Sequence, residues 1–99
     1  MIRIETAAGP GGIRIAIDGQ LIHEYVEEVE DLLRKATEQH QGVHLFLRNV
    51  SHIDEAAHSL LSRLAARGVK LSAAGLYSTY VVSQIQRALK SRQIQESEA

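Results

Sequence analysis

The stretch VHLFLRNVSHIDEAAHSLLSRL, residues 43–64, joins two different apolar patterns through a polar segment. Its first five residues are nearly all apolar, as is typical of a strand covered on both faces in an α/β sheet. From Ala57 onward the apolar residues recur three or four positions apart, which predicts an amphipathic helix that ends at Arg67-Gly68. The stretch therefore predicts a strand, a loop and a helix that packs against the sheet.

On the N-terminal side of this stretch, a hairpin and a helix are predicted. Residues 2–5 and 13–17 alternate apolar and other residues with a period of two, and Gly9-Pro10-Gly11-Gly12 separates the two runs. Alternation on both sides of a turn predicts two paired strands. In residues 25–41, apolar positions three or four apart then predict an amphipathic helix, ended by Gly42.

On the C-terminal side, one more strand and one more helix follow. Residues 69–73 read as a fourth strand, and after Gly75 a third helix is indicated by the spacing of Val81, Val82, Ile85 and Leu89. The predicted order is β-β-α-β-α-β-α, an α/β domain with one open four-stranded mixed sheet and about three helices. We expect the domain to cover residues 1–90 and a polar tail to cover residues 91–99.

Composition narrows the classes of function. The formal net charge is −1 and only 4% of the residues are aromatic, so neither a basic stripe nor stacking platforms for nucleic acid are expected. Cys is absent, which excludes thiolate catalysis and cysteine-ligated metals. No apolar run approaches the roughly 20 residues of a membrane helix, and the first residues do not resemble a secretory signal. The prediction is a cytoplasmic protein without membrane insertion.

Two short motifs, together with this order of elements, carry a family resemblance. Gly19-Gln20-Leu21 follows the second strand, and LRNVSHID, residues 47–54, follows the third. Over residues 2–90 the chain resembles the STAS domain, which implies a SpoIIAA-like fold. STAS domains are docking modules in anti-sigma-factor antagonists, in anion transporters and in lipid-transport ABC complexes. The resemblance therefore implies a non-catalytic regulatory domain, similar to an anti-sigma-factor antagonist, that binds proteins.

The sequence departs from the family at its regulatory position. In the antagonists, a Ser or Thr at the start of the second helix is phosphorylated, and here that position is Ala56. Ala56 has no hydroxyl, so the usual switch is lost. Glu55, beside it, is a candidate for a fixed negative charge near the N-terminus of the helix.

The predicted partner-binding surface surrounds this position. Asp54 is expected to cap the second helix, with Glu55 in its first turn, and Ser51 is expected to be a turn residue in the preceding loop. Ser59 and Ser62 are expected to be exposed. The expected partner is a kinase-type anti-sigma factor or a transporter ATPase, and a homodimer is possible. The complete predicted surface consists of Ser51, His52, Asp54, Glu55, Ala56, His58, Ser59, Ser62 and Arg63.

Several alternatives stay open at this point. The chain could be an accessory subunit of an ABC-type or efflux transport system, or a sensor of a nucleotide or lipid. Enzymatic readings are weaker: Asp54 and Glu55 are better explained by helix capping, and neighbouring helix residues such as His58 and Ser59 point about 100° apart and cannot form a triad. The spacing of His52 and His58 matches no zinc motif. We therefore predict no catalytic residue, no metal and no cofactor.

Overall fold

The order of elements is the predicted one. A computed structural model describes the backbone of residues 1–98 and the side chains of residues 1–91. The elements are β1 (Ile2–Gly9), β2 (Gly12–Leu21), α1 (His23–Gln39), β3 (Val43–Ile53), α2 (Glu55–Ala66), β4 (Lys70–Ala73) and α3 (Leu76–Glu98). The backbone of α3 continues through most of the predicted tail, residues 91–99, and the side chains beyond residue 91 lie outside the described part.

The four strands form one mixed sheet in the order β1-β2-β3-β4. β1 pairs with β2 antiparallel, and β2-β3 and β3-β4 are parallel pairs. The register places Ile15 opposite Leu45 and Leu45 opposite Leu71, so these side chains share one face of the sheet. They form a single core cluster with buried residues of the three helices, among them Val29, Leu60, Val82 and Ile85.

The helices cover only this face. Val43, Leu45 and Leu47 are buried, whereas the residues between them, His44 and Phe46, are partly exposed. The prediction of a strand covered on both faces was therefore wrong for β3, because the opposite face of the sheet stays open.

β3 is twice as long as its apolar run suggested, since it ends at Ile53 and not near Leu47. Pairing with β2 continues through Leu21 opposite Ile53, with two register shifts at which β3 has one extra residue each, Arg48 and Ser51. Ser51 is consequently a strand residue, and its prediction as a turn residue was wrong. Backbone pairing keeps these polar residues extended although their side chains carry no strand pattern.

Candidate functional site

The three helices begin at the same edge of the sheet, at the carboxyl ends of the parallel strands. The carboxylate of Asp54 joins the first two of these helices, α1 and α2. Asp54 Oδ1 accepts a hydrogen bond from the Ala57 N–H at 2.9 Å, and Asp54 Oδ2 accepts one from the His23 N–H, also at 2.9 Å. Asp54 is thus the N-cap of α2, as predicted, and also receives an N–H from the first residue of α1.

These backbone bonds hold the pKa of Asp54 below its usual value of 3.8. The N–H of Ala57 contributes most and the N–H of His23 next, while partial burial opposes them. Both donors belong to the first turns of helices, where N–H groups lack partners within the helix. The carboxylate is therefore committed to joining α1 and α2, and its role is structural.

We expect Asp54→Asn to lower Tm at neutral pH, because a neutral amide offers one acceptor where the carboxylate offers two. The pKa is lower in the folded state, so the stabilisation by Asp54 is present above pH 3.8 and is lost as the pH falls through the folded-state pKa. The Tm gap between wild type and variant should therefore close at acid pH. Thermal unfolding between about pH 2 and 7 measures it.

The matched control for this experiment is Asp31→Asn. Asp31 forms an ion pair with Arg34 on the exposed surface of α1 and does not cap a helix. Surface pairs of this kind contribute little to stability, so the control should change Tm slightly. A Tm gap for Asp54→Asn that stays constant down to pH 2 would contradict the assignment.

A tyrosine joins the start of α3 to the end of β3. The hydroxyl of Tyr77 accepts a hydrogen bond from the Ile53 N–H at 3.0 Å and donates one to the Ile53 carbonyl at 3.2 Å. One residue further, the buried Ser78 hydroxyl donates to the Val50 carbonyl at 3.0 Å. β4 has ended by this point, so side chains of α3 satisfy the free edge of β3. The first turns of α2 and α3 are thereby held next to each other.

Large apolar side chains are exposed at this junction. Leu76 is 94% exposed, Tyr80 is 61% exposed and Tyr77 is 43% exposed. Leu76 and Tyr80 lie one turn apart on the face of α3 that points away from the buried Val82 and Ile85. Their exposure was not predicted, although their position outside the apolar stripe of α3 was a usable signal. We call the exposed residues Glu55, Ser59, Leu76, Tyr77 and Tyr80 the α2–α3 surface.

The structure divides the predicted partner-binding residues among several places. Glu55 and Ser59 are exposed on the outer face of α2, and Ser51 and His52 are exposed at the end of β3. Arg63 pairs with Glu30 of α1 at 3.3 Å. The predicted residues thus do not form one surface.

The remaining predicted residues lie on the flanks of α2. Ala56 lies two turns before Arg63, so it shares the flank of α2 that faces α1. His58 and Ser62 lie on the opposite flank and are half-buried. The expectation of an exposed Ser62 was wrong, since Ser62 is half-buried, and its hydroxyl donates to the His58 carbonyl at 3.1 Å. Only Glu55 and Ser59 join the α2–α3 surface.

The described residues offer little for metal chemistry. Within them, no three His, Asp or Glu side chains come together in a group that could hold a metal ion. Nor does any helix in the described part of the chain have the length and apolarity needed to cross a membrane.

Comparison with known proteins identifies the fold. No family model matches the sequence, and no curated protein matches it. A solved structure that does match is an uncharacterized protein of the DUF3478 family with a SpoIIAA-like fold from Shewanella loihica PV-4. The two share 17% identity with a TM-score of 0.55, and the match covers 77% of this chain and 69% of that chain. The chain therefore has the SpoIIAA-like fold of STAS domains, as predicted, and the likeness concerns the fold alone.

Proposed function

We propose that this chain is a non-catalytic STAS-like docking domain that binds a protein partner through the α2–α3 surface. The observation that carries the proposal is the exposure of Leu76, Tyr77 and Tyr80 at the start of α3, which the Tyr77 hydroxyl joins to Ile53 just before α2. Clustered apolar side chains on a small domain are a common mark of protein interaction sites. Tyrosine is also enriched among the residues that contribute most to binding.

The contacts beneath this surface support a rigid docking site. The Tyr77 hydroxyl is bonded to the backbone of Ile53, and Asp54 caps α2 directly after it. Side chains held in this way lose little conformational entropy when a partner binds. Tyr77 can therefore serve as an anchor at a low entropic cost, with Leu76 and Tyr80 exposed beside it on the same helix.

The proposed domain is not regulated by phosphorylation at the position of Ala56. Ala56 has no hydroxyl and lies on the flank of α2 that faces α1. Glu55 in the first turn supplies a negative charge that does not depend on a kinase. The proposed domain is thus fixed in one binding state, with a kinase-type anti-sigma factor or a transport ATPase as the partner class.

We expect Leu76→Arg and Ser59→Arg to weaken partner binding at least about tenfold, since each places a charge in the centre of an apolar interface. The matched control is Gln39→Arg, which adds the same charge at the exposed end of α1. A partner should be retained by wild-type protein and by the Gln39→Arg control. The same partner should be lost from Leu76→Arg and from Ser59→Arg. Quantitative affinity capture, followed by titration of the captured protein, measures this.

Two results would contradict the proposed function. One is a partner that binds wild type, Leu76→Arg and Ser59→Arg with equal affinity, because its contact would then lie elsewhere. The other is turnover of a substrate by the purified protein. Circular dichroism of each variant ensures that lost binding is not lost folding.

A further inference from the structure

The open face of the sheet carries a row of basic side chains. Arg14, His44 and Lys70 lie directly opposite one another on β2, β3 and β4. Neighbouring strands are about 4.8 Å apart, so the row spans roughly 10 Å. The Arg14 guanidinium lies over the Phe46 ring at 4.5 Å, and His44 Nε2 lies 2.6 Å from the Ser72 hydroxyl oxygen. These contacts place the Arg14 and His44 side chains on the open face.

The carboxylates of this face are occupied further along the strands. Arg48 pairs with Asp18 through two nitrogens and with Glu5 at 3.3 Å. Neither Arg14 nor Lys70 forms an ion pair with any side chain in the described part of the chain. The open face is thus neutralised at one end and left cationic at the other.

An open cleft adjoins the cationic end. It has a volume of about 450 Å³, and its walls include Arg14, His44 and Lys70. Its other residues come largely from glycine turns, namely Gly9, Gly11, Gly12, Gly42 and Gly68. A methyl group added at Gly9, Gly11 or Gly68 would meet no atom within 4 Å. The cleft therefore has room for a ligand next to the basic row.

The row carries positive charge that no ion pair among the described residues offsets. Arg14 and Lys70 lie on the two strands that flank His44. The pKa of His44 is lowered, first by burial and then by the positive charges of Arg14 and Lys70 on either side. Three basic groups held together without a carboxylate are the arrangement that a bound anion would stabilise.

We propose that this cleft binds a soluble ligand containing linked phosphate groups, such as an oligophosphate chain. A chain of phosphates can offer separate phosphate oxygens to Arg14 and to Lys70, whereas a single phosphate must share its oxygens between them. The site lies at the amino ends of β3 and β4, away from the α2–α3 surface. The inference is therefore independent of the proposed docking function.

The test is a calorimetric titration of the whole protein with inorganic tripolyphosphate. We expect saturable one-site binding, at least about tenfold tighter than that of inorganic phosphate, that weakens as salt is added. Lys70→Gln should lower the affinity roughly tenfold, and Arg14→Gln combined with Lys70→Gln should abolish binding. In wild-type protein, amide NMR shifts on titration should concentrate in residues 11–16, 42–46 and 68–72.

The matched control is Lys35→Gln, which removes the same charge from the exposed surface of α1. Its affinity should stay within about twofold of wild type. Lys70→Gln should leave Tm nearly unchanged without ligand, because Lys70 is exposed and forms no ion pair in the described part of the chain. Equal loss of affinity in Lys35→Gln, NMR shifts outside the cleft, or binding to phosphatidylglycerol vesicles but not to tripolyphosphate would overturn the proposal.

Discussion

Gly12→Ala is expected to destabilise the fold by about 3 kcal/mol or more. Gly12 has a φ of +135°, a backbone conformation that residues other than glycine rarely adopt. A Cβ at this position would lie 2.0 Å from the Gly42 carbonyl oxygen, which is backbone and cannot swing aside. That same carbonyl accepts a hydrogen bond from the Ile13 N–H at 2.8 Å. The substitution therefore separates the hairpin from the start of β3.

Gly11→Ala is the matched control for this prediction. It adds the same methyl group one residue earlier, where no atom lies within 4 Å. Its free energy of unfolding should stay within about 0.5 kcal/mol of wild type. Urea unfolding of both variants measures the difference, and similar stabilities would show that the approach of Gly12 to Gly42 is unimportant.

Leu60→Ala is expected to lower the free energy of unfolding by about 2 to 5 kcal/mol. Leu60 is fully buried in the core between α2 and the sheet, so truncation loses apolar burial and leaves a cavity. A domain of this size has a total stability of only about 5 to 15 kcal/mol. The expected loss is thus a large fraction of the total free energy of unfolding. In urea unfolding, we expect a lower midpoint concentration and an unchanged dependence of the free energy on urea concentration.

Leu76→Ala makes the identical chemical change at a residue that is 94% exposed. It should alter the free energy of unfolding by less than about 0.5 kcal/mol. Under the proposed function it should nevertheless weaken partner binding. A large loss of stability in Leu76→Ala would mean that Leu76 serves the fold, which would remove the main support for the α2–α3 surface.

The elements that were predicted best are those whose signal is local. The hairpin of β1 and β2 follows from alternation around a glycine turn, and α2 follows from apolar spacing after a capping aspartate. β3 was predicted too short, because Arg48 to His52 carry no apolar pattern. Their extended backbone depends on β2 on one side and on Tyr77 and Ser78 of α3 on the other.

In the candidate site, too, the contacts between residues close in sequence could be predicted and the contacts between distant residues could not. The cap at Asp54 could be predicted because its partner, the Ala57 N–H, is three residues away. Its second partner, the His23 N–H, is 31 residues away and has no local signature. The exposure of Ser62 was predicted wrongly, because the burial of a residue on the flank of a helix depends on tertiary packing and not on the local apolar spacing.

The order of the elements and the core side of each helix could be predicted from the amino-acid sequence. These features follow from spacing and side-chain chemistry within a few residues. The open face of the sheet, the row of Arg14, His44 and Lys70, and the exposure of Leu76 and Tyr80 depend on the tertiary structure. Register and helix packing bring together residues far apart in the chain, and a local pattern carries no information about such distances.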